Sequence, residues 1–145
     1  MTQAILMAIK EKMKEEQKNF YDGSHITQSG EDYLEVALIL QKKNGSVHSV
    51  DLARHMEVFK PSVSRDVAVL GQGGFLTMDS DYFLHLTAIG QVIAEKIYER
   101  HRFFTEQLVA ADVDQETAEQ DACRIEHAIS DTSFQRLKEM IQRTD

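Results

Sequence analysis

A chain of 145 residues with 42% hydrophobic and 28% charged side chains has room for one small domain and a helical extension, not for two large domains. No apolar run approaches the roughly 18 residues that a membrane-spanning helix needs, and the single cysteine, Cys123, excludes an intrachain disulfide and fits a reducing cytoplasm. The formal net charge of −8 argues in bulk against a nucleic-acid partner, yet residues 111–145 hold nine acidic against four basic side chains, while 45–75 balances Arg54, Lys60 and Arg65 against Asp51, Glu57 and Asp66.

The N-terminal stretch MTQAILMAIKEKMKEEQKNF places Ile5, Leu6, Ile9 and Met13 on one side of a helix over 1–20. Its lysines and glutamates alternate behind a short apolar start, unlike a signal peptide, which carries its positive charge first. After Tyr21-Asp22-Gly23-Ser24, a second helix is expected from about Ser29 as N-cap, with Glu31 and Asp32 suited to the first turn. Leu34, Ala37 and Leu38 follow at helical spacing, and Asn44-Gly45 terminates the run.

A short helix from about Ser49 puts Val50, Ala53 and Met56 on a shared face. Beyond Val58-Phe59-Lys60, the one proline, Pro61, opens another helix where its missing N–H does no harm. Val63, Val67 and Leu70 repeat there at i, i+4, i+7, and Gly71, Gly73 and Gly74 end it. Phe75–Met78 and Tyr82–Leu86, joined by Asp79-Ser80-Asp81, read as a hairpin. A long helix is expected from Thr87 to about Val109, then two more over 114–130 and 131–143, the last capped by Asp131. The fold class is mostly α: a helical extension over 1–25, a winged helix-turn-helix over 26–95, and a helical dimerisation and metal-binding domain over 96–145. The apolar helix surface exceeds what one small head can cover, which predicts a homodimer.

With Val63, Val67 and Leu70 turned inward, Lys60, Pro61, Ser62, Ser64 and Arg65 form the front of a candidate recognition helix. Serine hydroxyls serve base edges or phosphates, and Arg65 suits guanine or phosphate. The same residues would also suit a small protein-binding helical domain. Ligand-type side chains gather in four places. Asp32 and Glu35 lie three apart on one helix, and His101 sits within the long one. Cys123, Glu126 and His127 stand at i, i+3, i+4, with Glu119 one turn earlier. Taken singly, these are helix-dipole partners, a surface histidine and a packing thiol. Taken together, they offer oxygen, nitrogen and thiolate donors to a divalent first-row metal.

Glu-Asp-Tyr-Leu-Glu (31–35), Pro-Ser-Val-Ser (61–64), Leu-Thr-x-x-Gly (86–90), Arg-His-Arg (100–102) and Cys-Arg-x-Glu-His-x-x-Ser (123–130) occur in that order. In this the chain resembles the diphtheria toxin repressor and manganese transport regulator family over about residues 26–143. The last motif is the most specific and the helix-turn-helix part is generic. The resemblance implies a homodimeric repressor of metal-uptake genes that binds a palindromic double-stranded DNA operator when loaded with Mn²⁺ or Fe²⁺. It also implies a primary metal site of Asp32, Cys123, Glu126 and His127, with Glu35, His101 and Glu119 near a second. Thr105 stands where the family often has glutamate, so that second site is expected to be weak, altered or absent. Asp32 matches the manganese branch, whereas Cys123 matches the iron-type and some manganese-type members. Mn²⁺ is the expected cofactor, with Fe²⁺ the alternative.

On this reading one cation held by Asp32 and by the Cys123 cluster locks the DNA-binding head for docking, and its charge offsets part of the acidic excess. The competing function is a metal-independent winged-helix regulator that senses a small molecule or a protein partner. No nucleophile–base pair or Gly-rich phosphate loop is present, so no enzymatic activity is expected, and no membrane partner.

Overall fold

Thr27 opens the first helix of the computed structural model, which describes residues 26–56 and 60–144. The expected helical extension over 1–25, Val58, Phe59 and the side chain of Lys60 lie outside the described residues. Helix α1 spans Gln28–Asn44, α2 Ser49–Met56, α3 Lys60–Gln72, strands β1 Leu76–Met78 and β2 Leu84–Leu86, α4 Ala88–Ala110, α5 Gln115–Ile125 and α6 Asp131–Thr144. The chain divides into two compact units, Met1–Glu95 and Lys96–Asp145.

In the first unit, the Thr27 side chain accepts from the Gly30 amide at 3.0 Å, so Thr27 is the cap and the expected cap, Ser29, lies inside the first turn. Both residues can cap, and the extended backbone falls at Thr27. At the other end Gly45 takes a left-handed conformation (φ 81°) and returns its amide to the Gln41 carbonyl. Leu34, Leu38, Leu52, Val63 and Leu70 are fully buried, each contributing on the order of 1.5–3 kcal/mol of transfer free energy. Helix α2 differs from expectation: Val50 is exposed and Leu52 fills the core beside Ala53. Its start is reinforced by Asp51, which accepts from the His48 amide at 2.8 Å.

The hairpin pairs Leu76 with Leu86, Thr77 with His85 and Met78 with Leu84, antiparallel. Its strands are shorter than the expected runs: the Phe75 amide turns back to the Leu70 carbonyl, and Tyr82 adopts φ 67° outside the ladder. The carboxylate of Asp79 organises the tip, accepting from the Asp81 and Phe83 amides and meeting His85 Nε2 at 2.8 Å. Leu84 donates its amide to the Val47 carbonyl at 2.8 Å, and His48 stacks on Phe83 with ring centroids 4.0 Å apart. Thr87 caps α4 by accepting from the Gly90 amide while donating to the Gly74 carbonyl. A Cβ at Gly90 would lie 2.1 Å from the Phe75 carbonyl oxygen. The Leu-Thr-x-x-Gly motif is therefore a cap and a close backbone approach that only glycine permits.

The second unit comprises the rest of α4 with α5 and α6. Asp112, at φ 66°, ends α4 in a Schellman turn in which the Val113 amide reaches the Leu108 carbonyl. Asp114 caps α5 by accepting from the Thr117 amide. Ile97, Ala118, Ala122 and Phe134 are buried, and Phe103 and Phe134 meet edge to face. Helix α6 is capped by Ser130, whose hydroxyl accepts from the Ser133 amide, rather than by the expected Asp131, which occupies the first turn.

Candidate metal centre

Helix α5 was expected to run to residue 130 but ends at Ile125, with Glu126 as its C-cap. The Glu126 amide still closes an i−4 bond to Ala122, whereas the Ala128 amide turns back to Ile125, the tighter i−3 pattern that ends helices. The carbonyls freed by this ending need partners. Arg100, on α4 and only 4% exposed, supplies them. Its Nη1 donates to the Glu126 carbonyl at 3.2 Å and the Ile129 carbonyl at 2.6 Å, and its Nη2 donates to Asp131 Oδ1. Sequence reading noted Arg100 only as part of Arg-His-Arg.

The Glu126 side chain is wholly buried. One carboxylate oxygen, Oε2, meets His101 Nδ1 at 2.9 Å; the other, Oε1, lies 3.3 Å from His127 Nε2 and accepts no hydrogen bond from the described residues. His127 is buried and His101 half-buried. A buried carboxylate oxygen without a donor costs free energy that a cation would offset. One carboxylate between two imidazoles is also a donor set suited to a divalent first-row ion. The residues present fit such a group.

The other expected ligands are distributed differently. Cys123 is exposed on α5, and Glu119, also exposed, accepts from Gln115 Nε2 at 3.0 Å. Among the described residues of this unit, Glu126 clusters with His127 in one donor group and with His101 in another, and neither group includes Cys123 or Glu119. Thr105, at the position where the resemblance fails, is buried, and its hydroxyl has no hydrogen-bond partner among the described residues. In the first unit Asp32 and Glu35 sit one turn apart on α1, Asp32 half-buried and Glu35 buried.

The candidate DNA-reading residues occupy the first two turns of α3. Pro61, Ser64 and Arg65 are exposed and Ser62 is half-exposed, while Val63, Val67 and Leu70 are buried beneath them. Asp66, one residue further on, accepts a 2.9 Å hydrogen bond from the Tyr33 hydroxyl of α1. Burial, and then that contact, push the Tyr33 phenol up to about 12. No helix among the described residues is long and apolar enough to cross a membrane.

Residues 87–145 match the family model described as the iron-dependent repressor metal-binding and dimerisation domain. An HTH-type transcriptional regulator of Methanocaldococcus jannaschii is 30% identical over 120 residues, covering 81% of this chain and 96% of its own. The HTH-type transcriptional regulator MntR of Bacillus subtilis is 30% identical over 116 residues, covering 80% of this chain and 82% of its own. Among solved structures, the manganese regulator SloR superposes with a TM-score of 0.71 at 26% identity over 78% of this chain, which spans only 53% of the SloR chain. With a head of helices and hairpin followed by a unit matching the repressor domain, the chain belongs to the diphtheria toxin repressor and MntR family of HTH-type transcriptional regulators.

Proposed function

We propose that this chain is a cytoplasmic, dimeric transcriptional repressor of manganese or iron homeostasis genes, activated by Mn²⁺ with Fe²⁺ as the alternative, and without catalytic turnover. The observation that carries the metal requirement is the buried Glu126 carboxylate, flanked by two imidazoles and left with an oxygen that accepts no hydrogen bond from the described residues. Glu126 and His127 would hold the ion, with Asp32 as the carboxylate ligand expected from α1 and Cys123 as the thiolate. Glu35, His101 and Glu119 are the candidates for further coordination. Because Cys123 is exposed, its thiolate is the member of the set least supported by burial.

A bound divalent cation supplies positive charge and holds its ligands in one arrangement. Everything else falls to the protein. Ser62, Ser64 and Arg65 would meet base edges and phosphates of a palindromic operator, and Lys60 and Pro61 would front the same helix. A twofold dimer would address half-sites about one helical turn apart. Coupling between a metal site and a DNA site is typically about 1–3 kcal/mol, or roughly 5–150-fold in affinity. Operator titrations with Mn²⁺ and with chelator test the reading: tighter binding with Mn²⁺ is expected, and equal affinity in both would overturn metal switching.

A further inference from the structure

The two ligand candidates with the most buried side chains in the second unit, Glu126 and His127, do not stand on regular helix. They occupy the turn that joins the end of α5 to the start of α6. Helix α5 has ended there, and the Ala128 amide turns back to the Ile125 carbonyl in the tighter i−3 pattern. A side chain 26 residues earlier in the chain also grips the turn. The Arg100 guanidinium binds the carbonyl of Glu126 itself, the carbonyl of Ile129 at the far end of the turn, and the carboxylate of Asp131 in the first turn of α6. Lys96 Nζ lies 3.7 Å from the same Asp131 oxygen, and the guanidinium carbon sits 5.3 Å from the centre of the Phe134 ring.

A buried cation is costly unless its donors are used. Here Nη1 donates to two backbone carbonyls and Nη2 to the Asp131 carboxylate, while Nε has no hydrogen-bond partner among the described residues. Three acceptors on one planar fork set the direction of the chain at Glu126, which an ammonium acting as a point charge does less well. We propose that Arg100 is the positioning residue of the metal centre. By gripping the Glu126 carbonyl from behind, it fixes where the Glu126 carboxylate and the neighbouring His127 imidazole point before any ion arrives. The inference rests on the reading of Glu126 and His127 as ligands. Outer partners that orient metal ligands commonly change affinity on the order of 10–100-fold.

The test uses the full chain. Mn²⁺ is titrated into the wild type, Glu126→Gln, Arg100→Lys and Asp131→Asn, at a temperature well below the thermal unfolding of each metal-free protein. Co²⁺ absorption then reports ligand geometry, a readout that a purely structural arginine would leave unmoved. Glu126→Gln is expected to lose Mn²⁺ binding. Arg100→Lys should stay folded, bind Mn²⁺ on the order of 10–100-fold more weakly, and shift the Co²⁺ bands; Asp131→Asn should shift both in the same direction by less. Loss of binding in Glu126→Gln, with wild-type affinity and spectrum in both other variants, overturns the positioning role alone. Wild-type affinity in Glu126→Gln overturns the ligand reading and the positioning role with it. Should Arg100→Lys fail to fold, Asp131→Asn decides by the same two readouts.

Discussion

The hydroxyl of Tyr33 donates to Asp66 Oδ2 at 2.9 Å, joining the first helix of the head to the helix that carries the candidate DNA contacts. Burial and this bond hold the phenol protonated up to about 12, above its ordinary 10.0. Between those values the unfolded chain has released a proton that the native state keeps. Stability from this group is therefore intact below about pH 10 and declines as the pH rises through the folded value. Urea unfolding across that range should show the decline, and Tyr33→Phe should remove it. At neutral pH the same variant should cost about 1–2 kcal/mol, because Asp66 loses a charge-assisted partner.

Gly90→Ala should destabilise the head by roughly 1–3 kcal/mol. The added methyl would fall 2.1 Å from the Phe75 carbonyl oxygen, far inside van der Waals contact, and that carbonyl also accepts from the Thr87 amide. A lowered midpoint in thermal denaturation checks it; an unchanged midpoint would mean that the α4 start can slide away from the hairpin.

At the hairpin tip, His85, with the Phe83 and Asp81 amides, holds the Asp79 carboxyl below the usual carboxylate range. Its contribution is present above about pH 4 and fades as the pH falls through the depressed value. In Asp79→Ala the Asp81 and Phe83 amides lose their acceptor. Their hydrogen exchange should quicken while the global melting temperature stays nearly constant.

Arg65 is exposed in the second turn of α3, clear of the core residues beneath it. Arg65→Ala should weaken operator binding in the Mn²⁺-loaded protein. If the side chain serves a phosphate, the loss is uniform across sequences and the salt slope falls by about 1. If it serves a base, about 1–3 kcal/mol of discrimination disappears at one position. Fluorescence anisotropy on cognate and scrambled duplexes at two salt concentrations separates the two.

The order of elements was legible because strong punctuation marks it: Asn44-Gly45, Pro61, Gly73-Gly74 and the acidic turn at 79–81. Caps were less legible. Thr27 and Ser29, or Ser130 and Asp131, are all competent acceptors, and only the backbone conformation chooses between them. The α2 face was misjudged because Val50 and Leu52 are equally apolar in sequence and only packing buries Leu52. Glu126 and His127 could be named as ligand types from their spacing. The early end of their helix could not, since the donor that satisfies its carbonyls, Arg100, is remote in sequence and looks like any arginine on a charged helix. Spacing alone likewise does not reveal that Cys123, which shares the motif, is exposed on α5.

The bond from the Leu84 amide to the Val47 carbonyl makes the short link after α1 a third, one-rung edge to the hairpin. The His48–Phe83 stack seals that edge. Tolerance to length change should therefore be lopsided. Extra residues at the 79–82 tip would extend into solvent, whereas even one residue inserted between Gly45 and His48 would slip the rung and pull the stacked rings out of register.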